Sequence, residues 1–169
     1  MRSAFLCAMS IALVCFQAAS GQAKKSSTQG STSKAPARFF NPDNIAKPVA
    51  GYSQVVEVTG GKIVYIAGQV ALDKSGNLVG KDDLRAQTQQ IFENLKGAVE
   101  AAGGDFSNVI KLNYYCAESV DPSQIAVIRE VRDKYLNTAA PPVSTLVVVK
   151  RLVRPEWLLE VEAVAVVKK

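Results

Sequence analysis

An α+β domain is predicted, one sheet with both helices on a single face, in the order β-β-α-β-α-β-β. Three observations carry this. Short β-rich runs at both ends of the domain bracket two segments of helical period, and one strand between those segments alternates cleanly. Gly, Pro, Asn and Asp clusters separate the runs. With 48% hydrophobic and 21% charged residues in a chain of 169, there is enough apolar surface for one core.

Tyr52 to Val58 and Ile63 to Val70 are two β-rich runs, with Thr59-Gly60-Gly61-Lys62 between them as a hairpin turn. Asp73-Lys74-Ser75-Gly76-Asn77 is a second turn. Asp82 and Asp83 open a helix carrying Leu84, Ile91, Leu95 and Val99 at helical spacing, which stops at Gly103-Gly104. The next strand places Ile110, Leu112, Tyr114 and Cys116 on one face and Lys111, Asn113 and Tyr115 on the other. Asp121-Pro122 caps a second helix that runs to about Asn137, before Pro141-Pro142. Val143 to Val153 and Trp157 to Val167 are the closing strands, joined across Arg154-Pro155-Glu156. Both are apolar on two sides over part of their length, and a symmetric partner subunit is the simplest cover for the second side.

The chain begins with the pattern of an export signal. Met1-Arg2-Ser3 is followed by a 13-residue run, Ala4 to Phe16, with Ser10 as its one polar member, and then by small residues from Ala18 to Ala23. That run is shorter than the ~20 residues a membrane-spanning helix needs, so no stable span is expected. Cys15 after Leu13-Val14 hints at a lipid-attachment site, although Val14 is bulkier than such sites want. Gly21 to Arg38 lacks aromatic and large aliphatic residues, the composition of a flexible tether. The expected organisation is therefore a signal over residues 1–23, a linker over 24–38 and a folded domain over 39–169, exported to a periplasmic or extracellular space. Cys116 is then the one cysteine left, which excludes an internal disulfide.

The missing residues narrow the chemistry. There is no histidine, so histidine triads and histidine-ligated zinc are out, and neither GxGxxG nor GxxxxGK[ST] occurs. The net charge of +5 is concentrated before residue 39, and the rest of the chain is balanced at fifteen basic and fifteen acidic residues. A domain without excess positive charge is a poor phosphate-backbone binder, so no nucleic-acid partner is expected. Two carboxylates stand out: Glu160 and Glu162 share one face of an otherwise apolar strand. Burial there demands either a cation across the sheet or interface, or a functional site. Cys116 faces the core side and reads as an inert buried thiol.

The domain resembles the RidA/YjgF family, also labelled endoribonuclease L-PSP-like. The resemblance rests on Gly51-Tyr52-Ser53-Gln54, Ala67-Gly68-Gln69-Val70, Gly76-Asn77-Leu78-Val79, Ala86-Gln87-Thr88, Glu93-Asn94-Leu95-Lys96, Val109-Ile110-Lys111-Leu112 and Leu159-Glu160-Val161-Glu162-Ala163-Val164-Ala165. It implies a chorismate-mutase-like fold and a homotrimer with small-molecule clefts between subunits. It also implies hydrolysis of enamines and imines to 2-oxo acids and ammonia, with no metal or organic cofactor. Tyr52 matches the family tyrosine, Gly68 the glycine whose backbone approaches the ligand, and Glu160 the glutamate that positions or activates water. Where deaminase members carry the arginine of Pro-Ala-Arg-Ser, which grips the substrate carboxylate, this chain has Val143, followed by Ser144 and by Thr145 in place of a cysteine. An asparagine on the second helix corresponds to Arg129, and a proline before the tyrosine to Gly51. An isopropyl group cannot replace a guanidinium fork. Three expectations follow: an altered or weakened imine deaminase, with Arg129 as a replacement clamp or a substrate lacking a carboxylate; an exported, catalytically silent ligand-binding or protein-contacting trimer; or a ribonuclease, against which the neutral, histidine-free domain argues.

Overall fold

The computed structural model describes residues 36–168. The expected signal and almost all of the linker lie outside them. The described elements are β1 (Ala37–Phe40), β2 (Val55–Val58), β3 (Lys62–Gln69), α1 (Leu84–Ala101), β4 (Val109–Ala117), α2 (Ile125–Arg132), β5 (Val143–Val149) and β6 (Leu159–Val167). This is the expected α+β architecture with one strand more.

Four strands form the main sheet in the order β3-β6-β4-β5. β6 lies antiparallel to both β3 and β4, whereas β5 runs parallel to β4 and forms an edge. Helices α1 and α2 cover one face. Ile91, Phe92, Leu95 and Val99 of α1 and Ile128 of α2 pack on Ile66, Leu112, Tyr114, Leu159, Val161 and Ala163. Phe92 also stacks on Phe106 at 5.7 Å and meets Tyr135 at 5.2 Å between ring centres. The helix signals behave as their sequence demands. Asp83 caps α1 by accepting from Ala86 N at 3.0 Å. Gly103 takes φ +88°, the left-handed conformation that ends helices at little steric cost.

Several expectations are corrected. Lys62–Gln69 does not pair with the preceding run as a hairpin: β3 pairs with β6, and β2 pairs with β1 in a separate two-stranded sheet. The linker ends earlier than composition suggests, because Ala37 and Arg38 are the first residues of β1, and Arg38 holds Glu57 at 2.9 Å across that ladder. The second helix is shorter than expected. Pro122 and Asp121 open a short 3-10 turn, Pro122–Gln124, and α2 ends at Arg132 rather than near Asn137. The closing strands are shorter than expected, Val143–Val149 and Leu159–Val167, and β4 lies between them in the sheet.

One buried amide and one half-buried amide fix the elements on which the site depends. Gln87 donates to the carbonyls of Gly80 and Glu156 and accepts from Leu158 N, so its amide ties the first turn of α1 to the chain entering β6. Asn94 donates to the carbonyls of Val70 and Leu72 and holds the chain leaving β3.

Candidate functional site

The alternation of β6 and β4 places Glu160, Glu162, Asn113 and Tyr115 together on the uncovered face of the sheet. Their neighbours Leu159, Val161, Leu112 and Tyr114 are buried on the covered face. The two carboxylates are not equivalent. Glu162 Oε1 accepts from Asn113 Nδ2 at 2.5 Å and from the Tyr115 hydroxyl at 3.2 Å. Glu160, half-buried and level with Tyr115, has no hydrogen-bond partner among the described residues. Burial and the two carboxylates, Glu162 first, push the Tyr115 hydroxyl above its ordinary pKa. Among the described residues no lysine or arginine of the same chain pairs with either carboxylate, and Glu162 is met by neutral donors instead.

Gly68 stands directly against Glu160. β3 slips register against β6 between Ile66 and Gln69, and this irregularity brings the Gly68 backbone under the carboxylate. A Cβ at position 68 would collide with Glu160 Oε1. The absence of that side chain is what lets an unpartnered carboxylate and a bare backbone share one spot.

The other expected site residues fall elsewhere. Tyr52, Arg129 and Ser144 line a cavity of about 240 Å³ on the covered side, beneath the end of α2 and against the β5 edge. Arg129 is thus a neighbour of Tyr52, not of Glu160. Val143 and Thr145 point the opposite way from Ser144, onto the uncovered face, level with Lys111 and Asn113 of β4. Within one chain, Val143 lies about 10 Å across and about 13 Å along the sheet from Glu160, at ordinary strand spacings. Within one chain the expected residues therefore fall into two groups, Gly68 with Glu160 and Tyr52 with Arg129 and Ser144, and Lys111, an exposed lysine beside both Val143 and Val164, is the cation in register with the missing arginine.

Sequence reasoning passed over Arg132. It occupies a core-facing position of α2, four residues from Ile128, and is 7% exposed. Its Nη2 lies 2.7 Å from Asp133 Oδ1, and its guanidinium fills the space beside Gly51, where an added Cβ would stand 2.9 Å from Nη2. A charged residue at an apolar helix position was the available signal.

The endoribonuclease L-PSP family model matches residues 43–167. The chain belongs to the RidA/YjgF family. A RutC family protein of Pyrococcus horikoshii is 37% identical over 124 residues, 73% of this chain and 92% of that protein. A 2-iminobutanoate/2-iminopropanoate deaminase of Dermatophagoides farinae is 29% identical over 133 residues, covering 79% of this chain and 98% of the mite protein. Among solved structures, a Rid-family protein of unknown function from Yersinia pestis matches with a TM-score of 0.71 at 36% identity, covering 78% of this chain and 99% of its own.

Proposed function

We propose that this protein is an exported, homotrimeric RidA-family hydrolase that converts an imine and water to a carbonyl compound and ammonia. The observation that carries the reading is the contrast between the two carboxylates. Glu162 has its donors, while Glu160 presents a free oxygen beside the Gly68 backbone. A carboxylate so placed can take a proton from water as the oxygen adds to the imine carbon, and return it to the nitrogen as ammonia leaves. The similarity to a 2-iminobutanoate/2-iminopropanoate deaminase supports the reaction class. With Val143 in place of an arginine fork, a carboxylate-bearing imine would be held by Lys111 at most, a single point charge. The expected rate on 2-iminopropionate is therefore about a hundredfold below that of an arginine-bearing relative, since losing such a grip costs roughly 2–5 kcal/mol and each 1.36 kcal/mol is tenfold.

Trimerisation is proposed because β5 is an unpaired edge with Leu146, Val147 and Val148 38–58% exposed, and Tyr65 on the uncovered face is 79% exposed. A second subunit placed there would also bring a Val143 end toward a Glu160. Light scattering should give three times the monomer mass, and N-terminal sequencing of the native protein should find a start between Gly21 and Lys24. The decisive assay generates imines in situ with an amino-acid dehydratase and follows their hydrolysis, with Glu160→Gln as the blank. A wild-type rate equal to that blank on imines both with and without a carboxylate would leave the second reading, a non-catalytic ligand-binding trimer, which Val143 favours.

A further inference from the structure

The segment that carries Tyr52 is held from two sides. On one side it is pinned to the start of β5: Ser53 N donates to the Pro142 carbonyl at 3.2 Å, Ser53 bridges to Val143 in parallel, and Ser53 is buried. On the other side stands Gly51, at the centre of a γ-turn closed by Tyr52 N donating to the Ala50 carbonyl at 2.9 Å. Gly51 does not take a positive φ, so the turn is of the inverse kind, with φ about −75° and open to ordinary residues. Its backbone therefore does not demand glycine here, and glycine is the residue that holds such a turn least firmly.

What fills the place of its side chain is Arg132. A Cβ at position 51 would stand 2.9 Å from Arg132 Nη2, and a cavity of about 40 Å³ is the space left beside the two. The guanidinium is itself anchored. Asp133 Oδ1 accepts from Nε at 2.8 Å and lies 2.7 Å from Nη2, and the buried Tyr114 hydroxyl accepts a further hydrogen bond from Arg132. Burial pushes that hydroxyl above its ordinary pKa, and the Arg132 charge opposes the rise. An apolar side chain of similar volume at this helix position would serve packing as well as a buried ion pair, or better, so packing alone gives no reason for the charge. An anchored, planar group wedged against a loose turn does. We propose that Arg132 is a positioning residue for Tyr52: its guanidinium occupies the space of the side chain that Gly51 lacks, holds the Ala50–Tyr52 turn, and so sets the Tyr52 ring beside Ser144 and Leu146 of β5. The inference rests on the imine-hydrolase reading, in which a second subunit brings the Val143 end of that strand toward a Glu160. Arg132 touches no reacting atom. Proton transfer belongs to Glu160, so a displaced Tyr52 weakens the hold on the imine and leaves the chemical step alone.

The test combines amide hydrogen exchange with imine kinetics in Arg132→Met, in Gly51→Pro and in the two together. Arg132→Met should speed exchange at the Tyr52 and Ser53 amides about tenfold while the amides of β4 and β6 stay protected. It should raise KM about fivefold and leave kcat within about twofold. Gly51→Pro alone should lower the melting temperature, because its Cβ meets Nη2. Proline locks φ at about −65°, close to the value of the turn, so it supplies the stiffness covalently once the guanidinium is gone. The double variant should accordingly bring exchange and KM back to within about twofold of the unmutated protein. An arginine with a merely structural role would not be rescued by a proline at position 51. Asp133→Asn, at a side chain 44% exposed, weakens one anchor in a chain that stays folded and should speed the same exchange about threefold. Unchanged exchange in both Arg132→Met and Asp133→Asn overturns the role. So does a double variant no better than Arg132→Met, and so does faster exchange with an unaltered KM. An unmutated protein without imine hydrolysis would sink the proposed reaction instead, and the exchange measurements would still decide whether Arg132 holds the turn.

Discussion

The two faces of the sheet carry opposite charge chemistry although they are built from alternate residues of the same strands. On the uncovered face the functional groups are the carboxylates Glu160 and Glu162, with neutral donors from β4. Under α2 on the covered face they are the cations Arg129 and Arg132 with a buried tyrosine. A period of two does the sorting. Val143, Ser144 and Thr145 are consecutive, yet the outer two belong to the uncovered face and the middle one to the cavity. A run of residues that looks like one motif in sequence is thus divided between two places with different partners.

The contrast can be broken most severely at Leu112, which lies next to Asn113 but is 1% exposed. Leu112→Ala should cost about 2–5 kcal/mol of stability, measured by urea denaturation, whereas Tyr65→Ala on the uncovered face should leave monomer stability within about 0.5 kcal/mol. Equal losses would mean that the uncovered face is packed as tightly as the core. Next in size is the difference between the carboxylates. Glu160→Gln should lower imine hydrolysis by about a hundredfold or more, and Glu162→Gln by less than about tenfold, since its oxygen is already occupied by Asn113 and Tyr115. A reversed order would move the reactive carboxylate to position 162.

A smaller effect is expected in alkali. The Tyr135 hydroxyl donates to Glu93 at 2.6 Å, and burial together with that carboxylate pushes its pKa up to about 12, from an ordinary value near 10. A folded-state pKa above the unfolded one contributes stability that is complete below pH 10 and fades as the pH climbs through 12. Burial moves Tyr114 the same way. Unfolding free energy should therefore fall between pH 10 and 12, and Tyr135→Phe should flatten that fall without removing it. An unchanged slope would show that Glu93 does not hold the hydroxyl in solution. Smallest of all, Arg38→Ala should cost under about 1 kcal/mol, because its pair with Glu57 is more than half exposed.

What could be read from the sequence was what local rules determine. The Asp83 cap, the Gly103 stop, the turn around Asp73 and the alternation of β4 each depend on residues within a few positions of one another, and each stands in the structure. Strand partners are different. Thr59-Gly60-Gly61-Lys62 has hairpin chemistry, but β3 gains more by pairing with distant β6, and β2 takes the short β1, whose Ala37 and Arg38 carry no strand signal of their own. The shared face of Glu160 and Glu162 was legible from spacing, and the family resemblance picked out Glu160. Which of the two would be left without a partner depended on Asn113 and Tyr115 across the ladder, a question of register. Arg132 was missed because an arginine within an apolar stripe carries no mark of what it faces until Gly51 and Tyr114 are placed around it.

The position of β6 has a consequence for how the chain comes to be folded. It is the last of the described strands to be synthesised, yet it supplies the ladder partner for both β3 and β4. Until Leu159–Val167 leaves the ribosome, two strands made far earlier have no neighbour joining them, and the Gly68–Glu160 spot does not exist. Closure must then span separations of about a hundred residues for β3, which makes it slow by the logic of loop entropy. The β4–β5 ladder and the β1–β2 pair need no residue of β6, so what waits for Leu159–Val167 is the join between β3 and the rest of the main sheet.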